Sequence, residues 1–67
     1  MDIRALRKQK GLTLKELSQK SKVSFVYISE LERGEKKNPS ARILCRIANA
    51  LDVPLKKLID EDFLKNE

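Results

Sequence analysis

The chain has 67 residues, 15 of them Lys or Arg and 10 Asp or Glu, and its formal net charge is +5 at pH 7. From this length we expect one small domain and no sensor domain. The chain also lacks the ~18 consecutive apolar residues of a membrane span and the apolar core of a signal peptide. Histidine is absent and Cys45 is the single cysteine, which excludes Cys-His catalysis, typical zinc sites and an internal disulfide.

From these exclusions we expect no enzymatic activity, metal, cofactor or small-molecule effector. A lone thiol suits a reducing compartment, so we expect a cytoplasmic protein, associated with the nucleoid of a prokaryote or phage. We expect Cys45 to be a small, half-buried side chain rather than a redox sensor, because no second cysteine is present to resolve an oxidised sulfur.

The first two helices are predicted from their ends. Helix 1 runs from about Asp2 to Lys10, and Gly11 ends it as a left-handed cap residue. Thr13 begins helix 2, and Glu16 follows three residues later, the spacing of a capping box.

Serine caps begin the next two helices, at Ser24 and Ser40. Gly34 ends helix 3, and residues 35–39 form a polar loop. Helix 5 begins after the Val-Pro pair at residues 53–54. The predicted fold class is therefore all-α, a compact bundle of five helices.

Residues 11–34 have the layout of a helix-turn-helix, in which the second helix is free to enter a DNA major groove. Leu14 and Leu17 are apolar positions of helix 2, and the apolar pattern continues across the turn at Val23, Ile28 and Leu31. Helices 2 and 3 are thus predicted to be the DNA-binding unit.

Over roughly residues 3–59 the chain resembles the lambda-repressor-like, Cro/XRE family of helix-turn-helix domains. The residues that carry the resemblance are Ile3-Arg4-Ala5-Leu6-Arg7, Gly11-Leu12-Thr13, Glu16-Leu17, Val23-Ser24, Tyr27-Ile28-Ser29, Leu31-Glu32-Arg33-Gly34, Asn38-Pro39-Ser40, Leu44, Ile47-Ala48, Ala50-Leu51 and Val53-Pro54-Leu55. The resemblance implies a sequence-specific, double-stranded-DNA-binding transcriptional regulator, either a repressor or an autoregulator. It assigns residues 1–59 to the DNA-binding domain and leaves residues 60–67 as a short acidic tail.

The resemblance also implies an ion pair between Arg7 and Glu32 that joins helix 1 to helix 3. Two positions depart from the family pattern. The usual Gln after the capping Thr is Leu14 here, and the usual turn glycine is Lys22. A non-glycine residue in a left-handed turn costs on the order of 1 kcal/mol.

Helix 3 has a predicted outer face, because Ile28 and Leu31 must point to the core. The residues expected on that face and its flank are Phe25, Val26, Tyr27, Ser29, Glu30 and Arg33. Apolar side chains can pack on thymine methyl groups, and a carboxylate can accept from a cytosine amino group. Alternatively, Phe25 folds back over the turn beside Lys22.

Contacts to the phosphate backbone are expected around helix 3. The remaining predicted DNA-binding residues are Thr13, Ser24, Lys36, Lys37 and Asn38, the first two through backbone amides at helix N-termini. The alternative for Lys36 and Lys37 is a solvated loop. Arg42 and Arg46 fit either a phosphate contact or a solubilising role.

The charge is unevenly distributed, at +8 over residues 1–57 and −3 over residues 58–67. A basic body favours a polyanionic partner, although ordinary solubilising charge would look the same. We expect a homodimer on a palindromic operator. The predicted dimer contacts are Leu55, Ile59, Phe63 and Leu64; the alternatives are that Phe63 packs on its own chain or that the tail is frayed. The competing function is a protein-protein interaction module that uses the face of Phe25 and Val26.

Overall fold

The structure is a computed structural model that describes residues 2–59. Its helices in chain order are α1 (Ile3–Gln9), α2 (Leu14–Ser21), α3 (Phe25–Glu32) and α4 (Ala41–Leu51). Residues 55–59, the last that are described, are also helical and form α5. These residues contain no strand. The all-α prediction with five helices is therefore confirmed.

Each of the first four helices begins at a side chain that accepts a hydrogen bond from a backbone amide of the first turn. Asp2 caps α1, Thr13 caps α2, Ser24 caps α3 and Ser40 caps α4. These oxygens satisfy amides that have no partner within the helix. The predicted caps at Thr13, Ser24 and Ser40 are confirmed.

Left-handed residues end the helices or directly follow their ends. Gly11 and Gly34 have φ of 70° and 78°, as predicted for residues without a Cβ. Lys22 and Asp52 adopt φ of 59° and 57° despite their side chains. The chain thus reverses sharply after each of the four helices.

The core lies where α2 packs on α3 and α4, and α1 packs on α3. Its buried hydrophobic residues are Ile3, Leu6, Leu17, Val23, Ile28, Leu31, Ile47, Ala48, Leu51 and Leu58. Every described helix contributes at least one of them, so α3 is fixed on a shared core and its opposite side is left free.

One surface prediction is wrong. Cys45 is exposed, not half-buried, because it lies outside the apolar stripe of α4, which contains Ile47, Ala48 and Leu51. None of the helices within residues 2–59 combines the length and apolar character needed to cross a membrane.

Candidate nucleic-acid interface

Two serines at the end of α2 form hydrogen bonds with the turn between α2 and α3. Ser18 Oγ donates to the Val23 carbonyl at 2.7 Å, and the Val23 amide donates to Ser21 Oγ at 3.2 Å. Lys22, the residue that ends α2, adopts the left-handed backbone conformation. Polar groups on the buried side of the turn are thus hydrogen-bonded, as buried polar groups generally are.

The third helix has two distinct faces. Ile28 and Leu31 are buried in the core, whereas Phe25 is 49% exposed and Val26 is 62% exposed. An amphipathic surface helix places polar residues on its outer side, and α3 instead places two large apolar ones there. About half of the Phe25 surface is therefore open to solvent.

The other residues of this face lie at its edges. Ser29 and Glu30 are partly buried, and Tyr27 packs partly against the core. Among residues 2–59 the Glu30 carboxylate takes part in no side-chain hydrogen bond or ion pair. It therefore remains available as an acceptor.

The ion pair expected between Arg7 and Glu32 is present. Arg7 Nε and Nη2 donate to the two carboxylate oxygens at 2.7 and 3.0 Å, and Nη1 donates to the Leu12 carbonyl at 2.9 Å. Their side chains are only 11% and 6% exposed. The hydrogen bond to Glu32 raises the pKa of Arg7 above its usual value, against an opposing contribution from burial. The pair neutralises one of the two carboxylates of α3.

The cations beyond α3 are organised in a way that sequence reasoning missed. Arg33 pairs with Glu35, with Nε at 2.9 Å from Oε2, and both side chains are more than half exposed. The backbone amides of Glu35 and Lys36 donate to the Glu30 carbonyl at 2.8 and 3.3 Å. Lys36 Nζ lies 5.9 Å from the centroid of the Tyr27 ring, within cation–π range. The loop is thus folded back along the flank of α3, where Lys36 is exposed and its ammonium group lies near the ring of Tyr27.

The N-terminus of α2 carries the predicted capping box. The Glu16 amide donates to Thr13 Oγ1 at 3.0 Å, and the Thr13 amide donates to Glu16 Oε1 at 2.8 Å. The backbone hydrogen bond lowers the pKa of Glu16 below its usual value of 4.5. Leu14, which replaces the family's Gln, is partly buried against the core. Its side chain, unlike that of Gln, offers no polar group to DNA.

The remaining predicted contacts belong to the loop after α3, to α4 and to α5, and two of them lie outside the described residues. Lys37 and Asn38 are exposed in the loop after α3, and Arg42 and Arg46 are exposed on α4. Leu55 and Ile59 pack partly against the core. Phe63 and Leu64 lie outside the described residues. Within residues 2–59 no three Cys, Asp or Glu side chains are grouped as metal ligands.

Comparison with known proteins agrees with this geometry. Residues 3–58 match the family model described as helix-turn-helix. The HTH-type transcriptional regulator SinR of Bacillus subtilis is 41% identical over 59 residues, which are 88% of this chain and 53% of SinR. The immunity repressor protein of Bacillus phage phi105 is 34% identical over 65 residues, or 97% of this chain and 44% of that protein. The solved SinR/SinI complex superimposes with a TM-score of 0.85 at 40% identity, covering 90% of this chain and 58% of that one.

The chain therefore belongs to the helix-turn-helix family, and the resemblance to Cro/XRE-type domains is confirmed. It spans about half the length of the curated relatives it matches.

Proposed function

We propose that this chain is a sequence-specific, double-stranded-DNA-binding transcriptional regulator that reads the major groove with α3. The observation that carries the proposal is the division of α3 into a buried side, Ile28 and Leu31, and an exposed side, Phe25 and Val26. Two regulators of the same family that match this chain, SinR and the phage immunity repressor, are named as a transcriptional regulator and a repressor. They favour repression or autoregulation over the interaction-module alternative.

Each part of the surface has a role in this proposal. The outer side of α3 faces base edges, and Glu30 accepts a hydrogen bond from a cytosine amino group. Arg33, Lys36, Lys37 and Asn38 contact phosphates on one side. On the other side, the first backbone amides after Thr13 and Ser24 point to phosphates, as the N-termini of helices do.

The mechanism requires no chemistry. A regulator of this kind acts by occluding a promoter or by recruiting another protein to it, and its occupancy follows its concentration. A cytoplasmic location, in the nucleoid of a prokaryote or phage, is part of the proposal.

We further propose a homodimer on a palindromic operator. Two copies would place their α3 helices about 34 Å apart, one turn of DNA, through Leu55 and Ile59 together with Phe63 and Leu64. Sedimentation at micromolar concentration checks this. We expect a dimer that Phe63→Ser weakens, and a strict monomer with unchanged behaviour in that variant contradicts the dimer.

Selection from a pool of randomised duplexes, followed by a salt titration of the recovered sequence, tests the DNA-binding proposal. Binding through several phosphates should weaken steeply with salt, with a log–log slope near −0.9 for each phosphate neutralised. A protein-docking patch would recover no common sequence and would respond little to salt. Lys57→Ala is the matched control, because Lys57 lines a pocket together with the cap Asp2 and with Gln9 of α1 and has no place in the proposed interface.

A further inference from the structure

We infer that α3 recognises the C5-methyl groups of pyrimidines, so that the DNA site of this chain has thymines opposite Phe25 and Val26. The inference rests on the proposed function and specifies the chemistry of the bases that are read.

The starting observation is the position of the exposed apolar residues. Phe25 and Val26 are the large hydrophobic side chains that are exposed within residues 2–59. They are adjacent and occupy the first turn of α3, directly after the cap Ser24. The core does not bury them, whereas Tyr27, the next residue, packs partly against it. A single exposed apolar residue needs no explanation, but two at the groove-facing end of this helix do.

Base-edge chemistry restricts what these side chains can read. Neither Phe nor Val donates or accepts a hydrogen bond, so neither can recognise the N7, O6, N6 or N4 atoms of the major groove. The apolar group on that edge is the C5-methyl of thymine. A cytosine in the same place has no methyl and would bring an amino group against an apolar surface, where it loses water without gaining a partner. The pair therefore favours thymine on two counts.

The positive charge of the domain favours nucleic acid over an apolar protein as the partner that contacts Phe25 and Val26. Lys36 Nζ is 5.9 Å from the ring of Tyr27, next to Val26 in sequence, and Lys37 is exposed in the same loop. The residues up to position 57 carry a net +8. A small apolar patch on a domain with this positive charge complements a methyl group carried on a polyanion.

A consequence follows for modified DNA. 5-Methylcytosine presents the same methyl group as thymine at the same place in the groove. A methylated cytosine at a position read by Phe25 or Val26 should therefore bind better than cytosine.

The test uses the highest-affinity duplex recovered by selection. At each pyrimidine of a half-site, duplexes with thymine, uracil, cytosine or 5-methylcytosine are compared by fluorescence anisotropy at one salt concentration. Uracil differs from thymine only by the methyl. We expect uracil to weaken binding roughly fourfold at one or two positions per half-site, the factor associated with burying one methyl-sized group. We expect 5-methylcytosine to exceed cytosine by a similar factor there.

Two protein variants connect the effect to the side chains. Phe25→Ala and Val26→Ala should each make thymine and uracil equivalent at one position. Both residues are exposed, so circular dichroism should show an unchanged fold. Lys57→Ala should retain the methyl effect.

The outcomes show whether the inference fails alone or together with the proposed function. Sequence-specific, salt-dependent binding that is indifferent to uracil at every position overturns the inference and leaves the proposed function standing. Specific binding that neither alanine variant alters assigns the patch to a protein partner and also overturns it. Absence of duplex binding overturns both.

Discussion

Two arginine–glutamate pairs have nearly the same geometry but differ in burial. Comparing them measures how burial changes what such a pair contributes to the free energy of unfolding. Arg7–Glu32 and Arg33–Glu35 both use Nε and Nη2 on the two carboxylate oxygens, at 2.7 and 3.0 Å in the first pair and 2.9 and 3.2 Å in the second. The side chains are 11% and 6% exposed in the first pair and 57% and 54% in the second. The perturbation is Glu32→Ala, with Glu35→Ala as its matched control.

The expected costs differ several-fold. Removing Glu32 leaves a largely buried guanidinium with the Leu12 carbonyl as its remaining acceptor, and breaking a buried pair costs about 3–5 kcal/mol. Removing Glu35 breaks an exposed pair worth about 0–1 kcal/mol. A domain of this length has a total stability of about 3–10 kcal/mol, so Glu32→Ala should remove much of it and Glu35→Ala little.

Urea unfolding followed by circular dichroism measures both costs. We expect Glu32→Ala to shift the midpoint strongly or to leave the chain partly unfolded, and Glu35→Ala to shift it slightly. The double variant Arg7→Met with Glu32→Leu should recover part of the loss, because it leaves no unpaired buried charge. Equal costs for the two alanine variants would refute the reasoning that burial decides the value of these pairs.

Four further outcomes are expected at other positions. Thr13→Ala should cost about 1 kcal/mol in urea unfolding through the lost cap; no change would contradict the capping role. The wild type should exceed Glu16→Gln in stability above pH 4.5 and converge with it as the pH falls through the lowered pKa of Glu16; a constant difference across that window would count against the hydrogen-bonded carboxylate. Glu30→Gln should change the sequence recovered by selection and leave thermal unfolding unchanged, and an identical sequence would remove Glu30 from base recognition. Lys37→Ala should weaken all duplexes alike and reduce the magnitude of the salt slope by about 0.9 for each bound copy of the chain, whereas Lys57→Ala should leave the slope as it is.

Structural features that depend on only a few neighbouring residues could be predicted from the sequence. The capping box of Thr13 and Glu16 depends on residues three apart, and a left-handed Gly11 depends on one residue, so no knowledge of the rest of the fold is needed. The exposure of Phe25 followed from placing Ile28 and Leu31 in the core. The Arg7–Glu32 pair joins residues 25 apart, and it was expected only through family resemblance.

Sequence reasoning did not predict which partners the charged side chains on the surface contact. Arg33 is predicted to contact phosphate, and nothing in the sequence indicated that its guanidinium also pairs with Glu35. Lys36 was either a phosphate contact or a solvated residue, and its ammonium group lies near Tyr27. Such contacts depend on the path of the loop, which bends back because two of its amides donate to the Glu30 carbonyl. Gly34 is the sequence signal for the first of these bonds, from the Glu35 amide, because it is the left-handed residue of a Schellman helix end. The side-chain contacts beyond it have no such signal.

The central claim is that the outer side of α3 is the surface that contacts DNA. Titrating the isotope-labelled chain with its selected duplex, and following the backbone amide signals by NMR, tests it most directly. We predict the largest shifts within residues 24–38 and at the first amides after Thr13, with little change at Lys57 and the neighbouring residues of α1. Large shifts confined to α1 and α5, with Phe25 and Val26 unaffected, would contradict the claim.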